Sequence, residues 1–239
     1  QKNTMFKFYN HSTFLIDNIL VDPWFKGEIF LNGWNLLKEL DYDINRILFD
    51  YIFISHEHPD HFHIPTLKSI SKKLGFKTLE CESSQYYKLN FGEIRVESNG
   101  FDSFFVYKNK AKTYVNLNDY QVTDEKDLQK LQLKKVDFLL SQFSYANWAG
   151  NKGDTNMPKK AQSIIYDRLS TQFKVLKPEV WIPCASFVYF SHHENFYMNQ
   201  YTPNIHDVKR FAESKDIKCF FPHPDMTYEE RMSDTNAQY

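Results

Sequence analysis

The chain of 239 residues is long enough for one large domain, and its 42% apolar and 17% aromatic residues can build a substantial core. Its 29 basic and 30 acidic residues give a net charge of -1 without a basic stripe, so we expect no nucleic-acid partner. No apolar run approaches the roughly 18 residues of a membrane span, and the amino terminus lacks a signal-peptide core; we therefore expect a soluble, cytoplasmic protein without a membrane partner.

Nothing in the sequence divides the chain, because repeats, low-complexity tracts and proline-rich linkers are all missing from it. We predict a single domain over residues 1–228, followed by a polar tail over residues 229–239. The three cysteines, Cys81, Cys184 and Cys219, are far apart and odd in number, which is typical of reduced core thiols. The sequence does not indicate an oligomeric state.

The first third of the chain predicts the order strands, histidine-rich loop, helix. Strands are predicted at residues 12–16, 18–21 and 50–55, where β-branched and aromatic residues are enriched. Residues 33–41 predict a short helix. The third strand ends directly before His56, and Pro65 suits the first turn of the helix that follows.

The rest of the chain changes from strands to alternating strands and helices. Predicted strands cover residues 77–81, 93–98, 103–108, 113–118, 136–143, 179–184 and 218–222, and predicted helices cover residues 160–176 and 206–214. Strands followed by helices, twice over, predict two sheets packed together with helices outside. The fold class is therefore α/β (α+β), as a four-layer αββα sandwich.

The stretch "FISHEHPDHFH" carries four histidines within eight residues. On an extended segment His56 and His58 point the same way and can hold one ion, while the loop turns Asp60 and His61 toward a second position. Imidazole suits zinc and iron, and a carboxylate favours an open Lewis-acidic centre. The alternative is a histidine-rich surface loop, which the flanking strand and helix make less favourable. His63 falls outside this spacing and is expected to support the site or lie on the surface.

This motif, the early "NHSTFLI", Asp22 at a strand end and "NLND" ending at Asp119 resemble the metallo-β-lactamase superfamily, whose fold is an αββα sandwich. The resemblance covers nearly the whole chain. More narrowly, several segments are similar to the metallo-β-lactamase-like part of CMP-N-acetylneuraminate hydroxylases and bacterial relatives. These segments are "DPWFKGEIFLNGWNLL", "YIFISHEHPDHFHIPTLK", "VNLND", "LLSQFS" and "ASFVYFSHHENFYMN".

The resemblance implies a role for each matching residue. His56 and His58 would bind a first metal, Asp60 and His61 a second, and Asp119 would bridge both. Asp22 would orient the metal shell without binding the metal. The resemblance also makes His11 a candidate catalytic residue that lines the site, together with Asp60.

One departure from the family pattern lies between the cluster and the bridging aspartate, where the family supplies another histidine and residues 64–118 contain none. Asp102 is the predicted replacement ligand, in a turn between two strands. Glu97 is the second choice, and the thiol of Cys81 is a further candidate.

A second departure concerns the late family histidine, because Cys184 and Ala185 stand where it is expected. His192 is the predicted replacement, with His193 and Glu194 nearby; a solvated turn is the alternative interpretation of this segment. A cage with few histidines and more carboxylates shifts preference from zinc toward iron or manganese. The expected cofactors are therefore one or two divalent ions of zinc or iron, with manganese as a third candidate.

Three functions are consistent with the sequence. A metal-activated water would attack an ester, phosphodiester or lactone, as is usual in the superfamily. Alternatively, iron would activate oxygen, as in the similar hydroxylases; these also carry a Rieske domain, which needs two Cys-His pairs that this chain lacks, so hydrolysis is favoured. The third is a degenerate, non-catalytic binding protein. Partners are expected to be small molecules, and the resemblance implies a sugar or nucleotide-sugar substrate.

Overall fold

The structure, a computed structural model, describes residues 6–72, 77–78, 82–122, 124–223 and 226–227, so the expected tail over 229–239 and Cys81 lie outside the described residues. Its strands are β1 (Phe6–Asn10), β2 (Thr13–Ile16), β3 (Ile19–Val21), β4 (Trp34–Leu36), β5 (Tyr51–Phe53), β6 (Lys77–Thr78), β7 (Tyr86–Lys88), β8 (Gly92–Ser98), β9 (Ser103–Asn109), β10 (Thr113–Asn118), β11 (Phe138–Gln142), β12 (Val180–Cys184), β13 (Val188–Phe190), β14 (Lys218–Cys219) and β15 (Met226–Thr227). Its helices are α1 (Ile64–Ser71), α2 (Glu125–Gln129), α3 (Asn156–Leu176) and α4 (Ile205–Glu213), with short 3-10 turns at Ile44–Arg46 and Phe196–Tyr201.

The strands form two large sheets and one small one. The first has six strands in the order β15-β1-β2-β3-β5-β6, the second seven in the order β14-β12-β11-β10-β9-β8-β7, and β4 pairs with β13 separately. Strands β3 and β5 are parallel, and β1 runs in the same direction because both β1 and β3 are antiparallel to β2. In the second sheet β10, β11 and β12 are parallel. Several strands of each sheet therefore end at a common edge.

The two large sheets pack face to face through aromatic side chains. Phe53 of β5 meets Phe105 of β9 with ring centroids 4.8 Å apart, and Phe6 of β1 stacks on Tyr114 of β10 at 6.4 Å. All four side chains are buried, and burying one such ring contributes about 1.5–3 kcal/mol. This shared layer is the main core of the molecule.

Helices cover the outer faces of both sheets. Ile70 of α1 packs with Leu20 and Ile52 on the first sheet, and Phe173 of α3 contacts Trp181 of β12 at 5.2 Å. The order of layers is helix, sheet, sheet, helix, which confirms the predicted four-layer αββα sandwich. Among the described residues, no helix combines the length and the apolar character that crossing a membrane requires.

The predicted helix over residues 33–41 is wrong. Residues 34–36 form β4, which pairs antiparallel with β13, and the rings of Trp34 and Phe190 meet edge to face at 5.9 Å. This long-range pairing outweighs the local preference of the segment for a helix. The sequence also does not predict β1, β7, β13 and α2, each of which has five residues or fewer.

Candidate metal centre

The candidate site lies at the edge of the sandwich where strands of both sheets end. His11 follows β1, Asp22 follows β3 and Asp119 follows β10, while the histidine-rich loop follows β5. The side-chain amide of Asn118, at the end of β10, donates to Oδ2 of Asp22 across the two sheets at 2.8 Å. Residues distant in sequence are therefore brought together by the direction of their strands.

Four non-glycine residues at this edge have left-handed backbone conformations. The φ angles are 45° at His11, 39° at Asp22, 49° at Asn118 and 52° at Ala185. The backbone N–H of Ala185 donates to the carbonyl of His11 at 3.1 Å, which ties two of these turns together. Such conformations cost about 1–3 kcal/mol each and cluster at functional sites, where the surrounding structure maintains them.

Three side chains form what we call the buried group: His11, Asp60 and His61. Oδ2 of Asp60 lies 3.1 Å from Nε2 of His11 and 3.1 Å from Nε2 of His61. All three residues are buried, His61 completely. Their ligand atoms lie within 4.8 Å of one another, so they can share one metal ion.

Three further side chains form the open group: His56, His58 and Asp119. Nε2 of His56 is 2.8 Å from Nδ1 of His58 and 3.8 Å from Oδ2 of Asp119. His58 is exposed, which gives this group access to solvent. The other oxygen of Asp119, Oδ1, lies 3.6 Å from Nε2 of His61. Asp119 therefore stands between the two groups, as a bridging carboxylate would.

Asp22 and Ser55 hold the histidines from behind. Oδ2 of Asp22 accepts hydrogen bonds from Nδ1 of His61 at 2.8 Å, from the hydroxyl of Ser55 at 2.7 Å and from Asn118. Oδ1 accepts the backbone N–H of Ser55 at 2.8 Å. Because Nδ1 of His61 donates to a carboxylate, Nε2 is the ring nitrogen that faces Asp60 and is left to bind a metal. This is the arrangement by which an outer carboxylate fixes the tautomer of a metal ligand.

Asp102 is expected as a ligand, but the structure places it behind His56. Its Oδ1 lies 3.2 Å from Nδ1 of His56, and the hydroxyl of Ser55 lies 3.0 Å from the same nitrogen. The lone pair of His56 thus sits on Nε2, which faces His58, and Asp102 belongs to neither group. The short loop before β9 brings this carboxylate only to the rear of the ring.

The charges of the buried group are strongly coupled. Burial alone would lower the pKa of His61, but the carboxylates of Asp60, Asp119 and Asp22 outweigh it and raise that pKa well above its usual value. Burial likewise opposes ionisation of Asp60, yet the neighbouring imidazoles of His61 and His11 hold its pKa well below the usual range. The site therefore keeps ionised carboxylates beside a cation even without metal.

The donor set fits a divalent ion. Nε2 of His61 and Oδ1 of Asp119 are buried and lie 3.6 Å apart, and within the described part of the chain neither atom has a hydrogen bond of good geometry. Leaving such atoms unpaired is costly, and a cation between them would satisfy both. Imidazole nitrogens combined with carboxylate oxygens suit zinc, iron or manganese.

The predicted ligand His192 belongs to neither group. It follows β13, which pairs with β4 in the small separate sheet. Nδ1 of His192 accepts the backbone N–H of Glu194 at 3.3 Å, and His193 is exposed. Glu97 is also occupied elsewhere, by the hydroxyl of Ser84 at 2.7 Å. The sequence predicts His192 beside Asp60 and His61. In the structure, His11 lies there instead.

Other predicted residues lie near the site without joining a group. His63 is buried and its Nδ1 lies 2.8 Å from the hydroxyl of Thr66. Cys184 is buried, and its thiol lies 3.7 Å from the amide oxygen of Asn118. Ser55 and Asn118 were not singled out from the sequence. Their signal is positional, because each directly precedes a predicted ligand at a strand end.

A comparison with models of protein families identifies the family of this chain. The model of the beta-lactamase superfamily domain matches residues 5–148, more than half of the sequence. The chain belongs to the beta-lactamase superfamily. This match spans the histidine-rich loop, both groups and Asp22, so the resemblance expected from the motif is confirmed at the level of the superfamily.

Two relatives among curated proteins share a short segment with this superfamily member. The cytidine monophosphate-N-acetylneuraminic acid hydroxylase of Danio rerio is 44% identical over 57 residues, and that of Xenopus laevis is 45% identical over 58 residues. Each match covers 23% of this chain and 10% of the relative. The chain thus matches about a tenth of the length of these relatives.

Solved structures show the same fold across almost the whole chain. CmlA, a diiron beta-hydroxylase from Streptomyces venezuelae, aligns with a TM-score of 0.59 at 12% identity, covering 95% of this chain and 54% of CmlA. Igni18, a metallo hydrolase from Ignicoccus hospitalis, aligns with a TM-score of 0.58 at 17% identity, covering 96% of this chain and 100% of Igni18. Both similarities support the fold alone.

Proposed function

We propose that this protein is a metal-dependent hydrolase in which the buried and open groups hold two divalent ions and Asp119 bridges them. The observation that carries the proposal is the position of Asp119, with one oxygen 3.8 Å from Nε2 of His56 and the other 3.6 Å from Nε2 of His61. The proposed substrate is an ester, phosphodiester or lactone of a small molecule, and a sugar- or nucleotide-linked molecule is the class that the hydroxylase similarity suggests.

The residues of the site would have different roles in the reaction. Two bound ions would supply Lewis-acid catalysis and a coordinated water of lowered pKa. Asp22 and Asp102 hold Nδ1 of His61 and His56, so both rings keep Nε2 free as a ligand. Exposure of His58 leaves the open group accessible to substrate, while the closed surroundings of Asp60 exclude water from the buried group.

Hydrolysis is preferred because it requires only the substrate, water and the two ions. The second candidate is oxygen-dependent hydroxylation, and the observation that favours it is the 44% identity to a hydroxylase over 57 residues. The same six ligands would then hold iron, and a reductant would have to supply electrons. The two functions differ in metal identity and in their need for oxygen.

The test combines metal analysis with turnover. Protein purified anaerobically without added metal is analysed for zinc, iron and manganese, then assayed on p-nitrophenyl acetate and bis(p-nitrophenyl) phosphate with and without oxygen. We expect two ions per chain and product release independent of oxygen. His58→Ala should abolish turnover, whereas His192→Ala, which removes an imidazole outside both groups, should not. Turnover that requires oxygen and a reductant would replace hydrolysis by hydroxylation.

A further inference from the structure

A cavity of about 500 Å³ is lined in part by two chain segments that lead into the candidate centre. Its wall includes Asn10, which directly precedes His11, and Ser186, which directly follows Ala185. The backbone bond from Ala185 to His11 joins these two segments at 3.1 Å. Two walls of the cavity are therefore one residue away from the edge that carries the buried group, and the volume is within the usual 300–1,000 Å³ of ligand pockets.

The lining of the cavity is mainly apolar and includes six aromatic side chains. These are Phe143, Tyr145, Phe187, Tyr189, Phe190 and Phe196. Phe143 and Phe187 already pack against each other with ring centroids 5.4 Å apart. Rings arranged around a cavity favour a flat aromatic guest, which they can meet edge to face or in offset stacking.

Three polar residues of the wall, Asn10, Tyr145 and Asn199, already have partners within the chain. The side-chain amide of Asn10 donates to the carbonyl of Lys38 at 2.6 Å, and the hydroxyl of Tyr145 donates to the carbonyl of Met198 at 3.0 Å. Asn199 accepts the N–H of Phe190 at 2.8 Å and donates to its carbonyl at 2.7 Å. A sugar in this cavity would bury hydroxyls beside groups that already have partners, which is unfavourable.

We infer that the cavity binds an aryl group of the substrate and thereby places the adjoining scissile bond at the metal centre. This inference rests on the proposed hydrolase and narrows its substrate to aryl-bearing molecules. The exposed ring of Phe196 lies at the mouth, and Lys38, also exposed, is available there for a polar substituent. An aliphatic acyl chain would fill the volume but would gain nothing from the arrangement of the rings.

Binding is tested first in metal-free protein, so that the result does not depend on catalysis. Calorimetric titrations compare 2-naphthol, octanoate and methyl β-D-glucopyranoside. We expect 2-naphthol to bind with one site per chain and more tightly than octanoate, and the glucoside not to bind. Tighter binding of octanoate, or binding of the glucoside alone, would overturn the inference.

Two variants locate the binding site. Ala146→Trp places an indole in the cavity without removing a hydrogen bond, and it should weaken 2-naphthol binding about tenfold or more, a loss of about 1.4 kcal/mol. Ala111→Trp, in an exposed turn outside the cavity, is the matched control and should leave the affinity unchanged. Phe196→Ala alters an exposed side chain and should weaken binding several-fold with the fold intact. Unchanged affinity in Phe196→Ala and Ala146→Trp would place the ligand elsewhere.

A kinetic comparison separates this inference from the proposed function. In metal-loaded protein, kcat/KM for 2-naphthyl acetate should exceed that for methyl acetate, and Ala146→Trp should reduce the difference. If 2-naphthol binds in the cavity but neither ester is hydrolysed, the cavity assignment stands and the hydrolase proposal fails. If both esters react equally in the wild type and in Ala146→Trp, the hydrolase stands and the aryl site fails.

Discussion

The buried and open groups use the same chemical ligands in different surroundings. His61 is completely buried and its ring is fixed by Asp22, which in turn holds Ser55 and Asn118. His58 in the open group is exposed, and its Nδ1 lies 2.8 Å from Nε2 of His56. One group is therefore a rigid part of the sandwich and the other is its accessible face.

This difference assigns a different task to each group. A site whose ligands are already held in place loses little conformational entropy when it binds an ion, so the buried group should bind its ion more tightly. The open group retains room for water and substrate, as catalytic metal sites do. We expect the first ion to stabilise the edge of the sandwich and the second to take part in the reaction.

Removal of the carboxylate behind the buried group should have the largest effect on the difference between the two groups. Asp22→Ala leaves His61 and Ser55 without their acceptor and should lower the free energy of unfolding by about 3–5 kcal/mol. Urea denaturation of the metal-free protein measures this change. Asp216→Ala is the matched control, because Asp216 also has a positive φ angle, of 56°, but is exposed after α4 and lies outside both groups. Equal losses in the two variants would mean that only backbone strain is at work.

The groups should next separate by metal content. His11→Ala removes a ligand of the buried group and His58→Ala one of the open group, and each should lower the metal bound at saturation by about one ion per chain. His11→Ala should lower the thermal stability that metal confers more than His58→Ala does, because the buried group binds its ion more tightly. Plasma mass spectrometry and thermal unfolding measure the two effects. Retention of both ions in His11→Ala would exclude His11 as a ligand and leave His192 as the candidate in its place.

The sequence was informative where chemistry is local. The spacing of His56, His58, Asp60 and His61 lies within one loop, and the strand and helix beside it follow from local apolar patterns, so motif and layers could both be predicted. The place of His11 could not, because it depends on β1 ending at the same edge as β5, which only the strand order determines. Which residues replace the two missing family histidines likewise depends on distances in the folded chain, and residue spacing does not give those distances.

The positions of the two predicted ligands that lie outside both groups, His192 and Asp102, share a physical cause. His192 lies on a segment whose course is set by the pairing of β4 with β13, and that pairing was hidden because residues 33–41 favour a helix locally. Asp102 was placed in the correct turn, but the sequence does not show which nitrogen of His56 its carboxylate meets. Side-chain direction at this level depends on loop geometry that residue spacing does not encode.

The stability of the metal-free protein should depend on pH through the buried group. The pKa of His61 is raised well above 6.5, so its stabilising contribution is complete below pH 6.5 and is lost as pH rises through the folded value. The pKa of Asp60 is held well below 3.8, so its contribution is present above pH 3.8 and is lost as pH falls through the folded value. Stability should therefore be greatest between these limits and fall toward alkaline pH.

Urea midpoints at pH 5.5 and 8.5 test this expectation. Each unit by which the His61 pKa is raised corresponds to about 1.4 kcal/mol of stability at acidic pH. Asp60→Asn removes a carboxylate that raises this pKa and should flatten the profile. Saturating metal should reverse the trend, because ligand imidazoles must be deprotonated to bind. A metal-free midpoint that rises between pH 5.5 and 8.5 would show that groups outside the buried group dominate.

The smallest expected effect distinguishes orientation from ligation in the open group. Asp102 touches Nδ1 of His56, so Asp102→Ala should loosen the ring and weaken the ion of the open group by about tenfold, while both ions still bind at saturation. Competition with a fluorescent chelator measures each affinity, and that of the buried ion should not change. Glu97→Ala, which removes a carboxylate paired with Arg95, is the control and should alter neither affinity. If Asp102→Ala instead loses one ion even at saturating metal, Asp102 is a ligand, as the sequence predicts, and the open group has one more protein ligand than its geometry indicates.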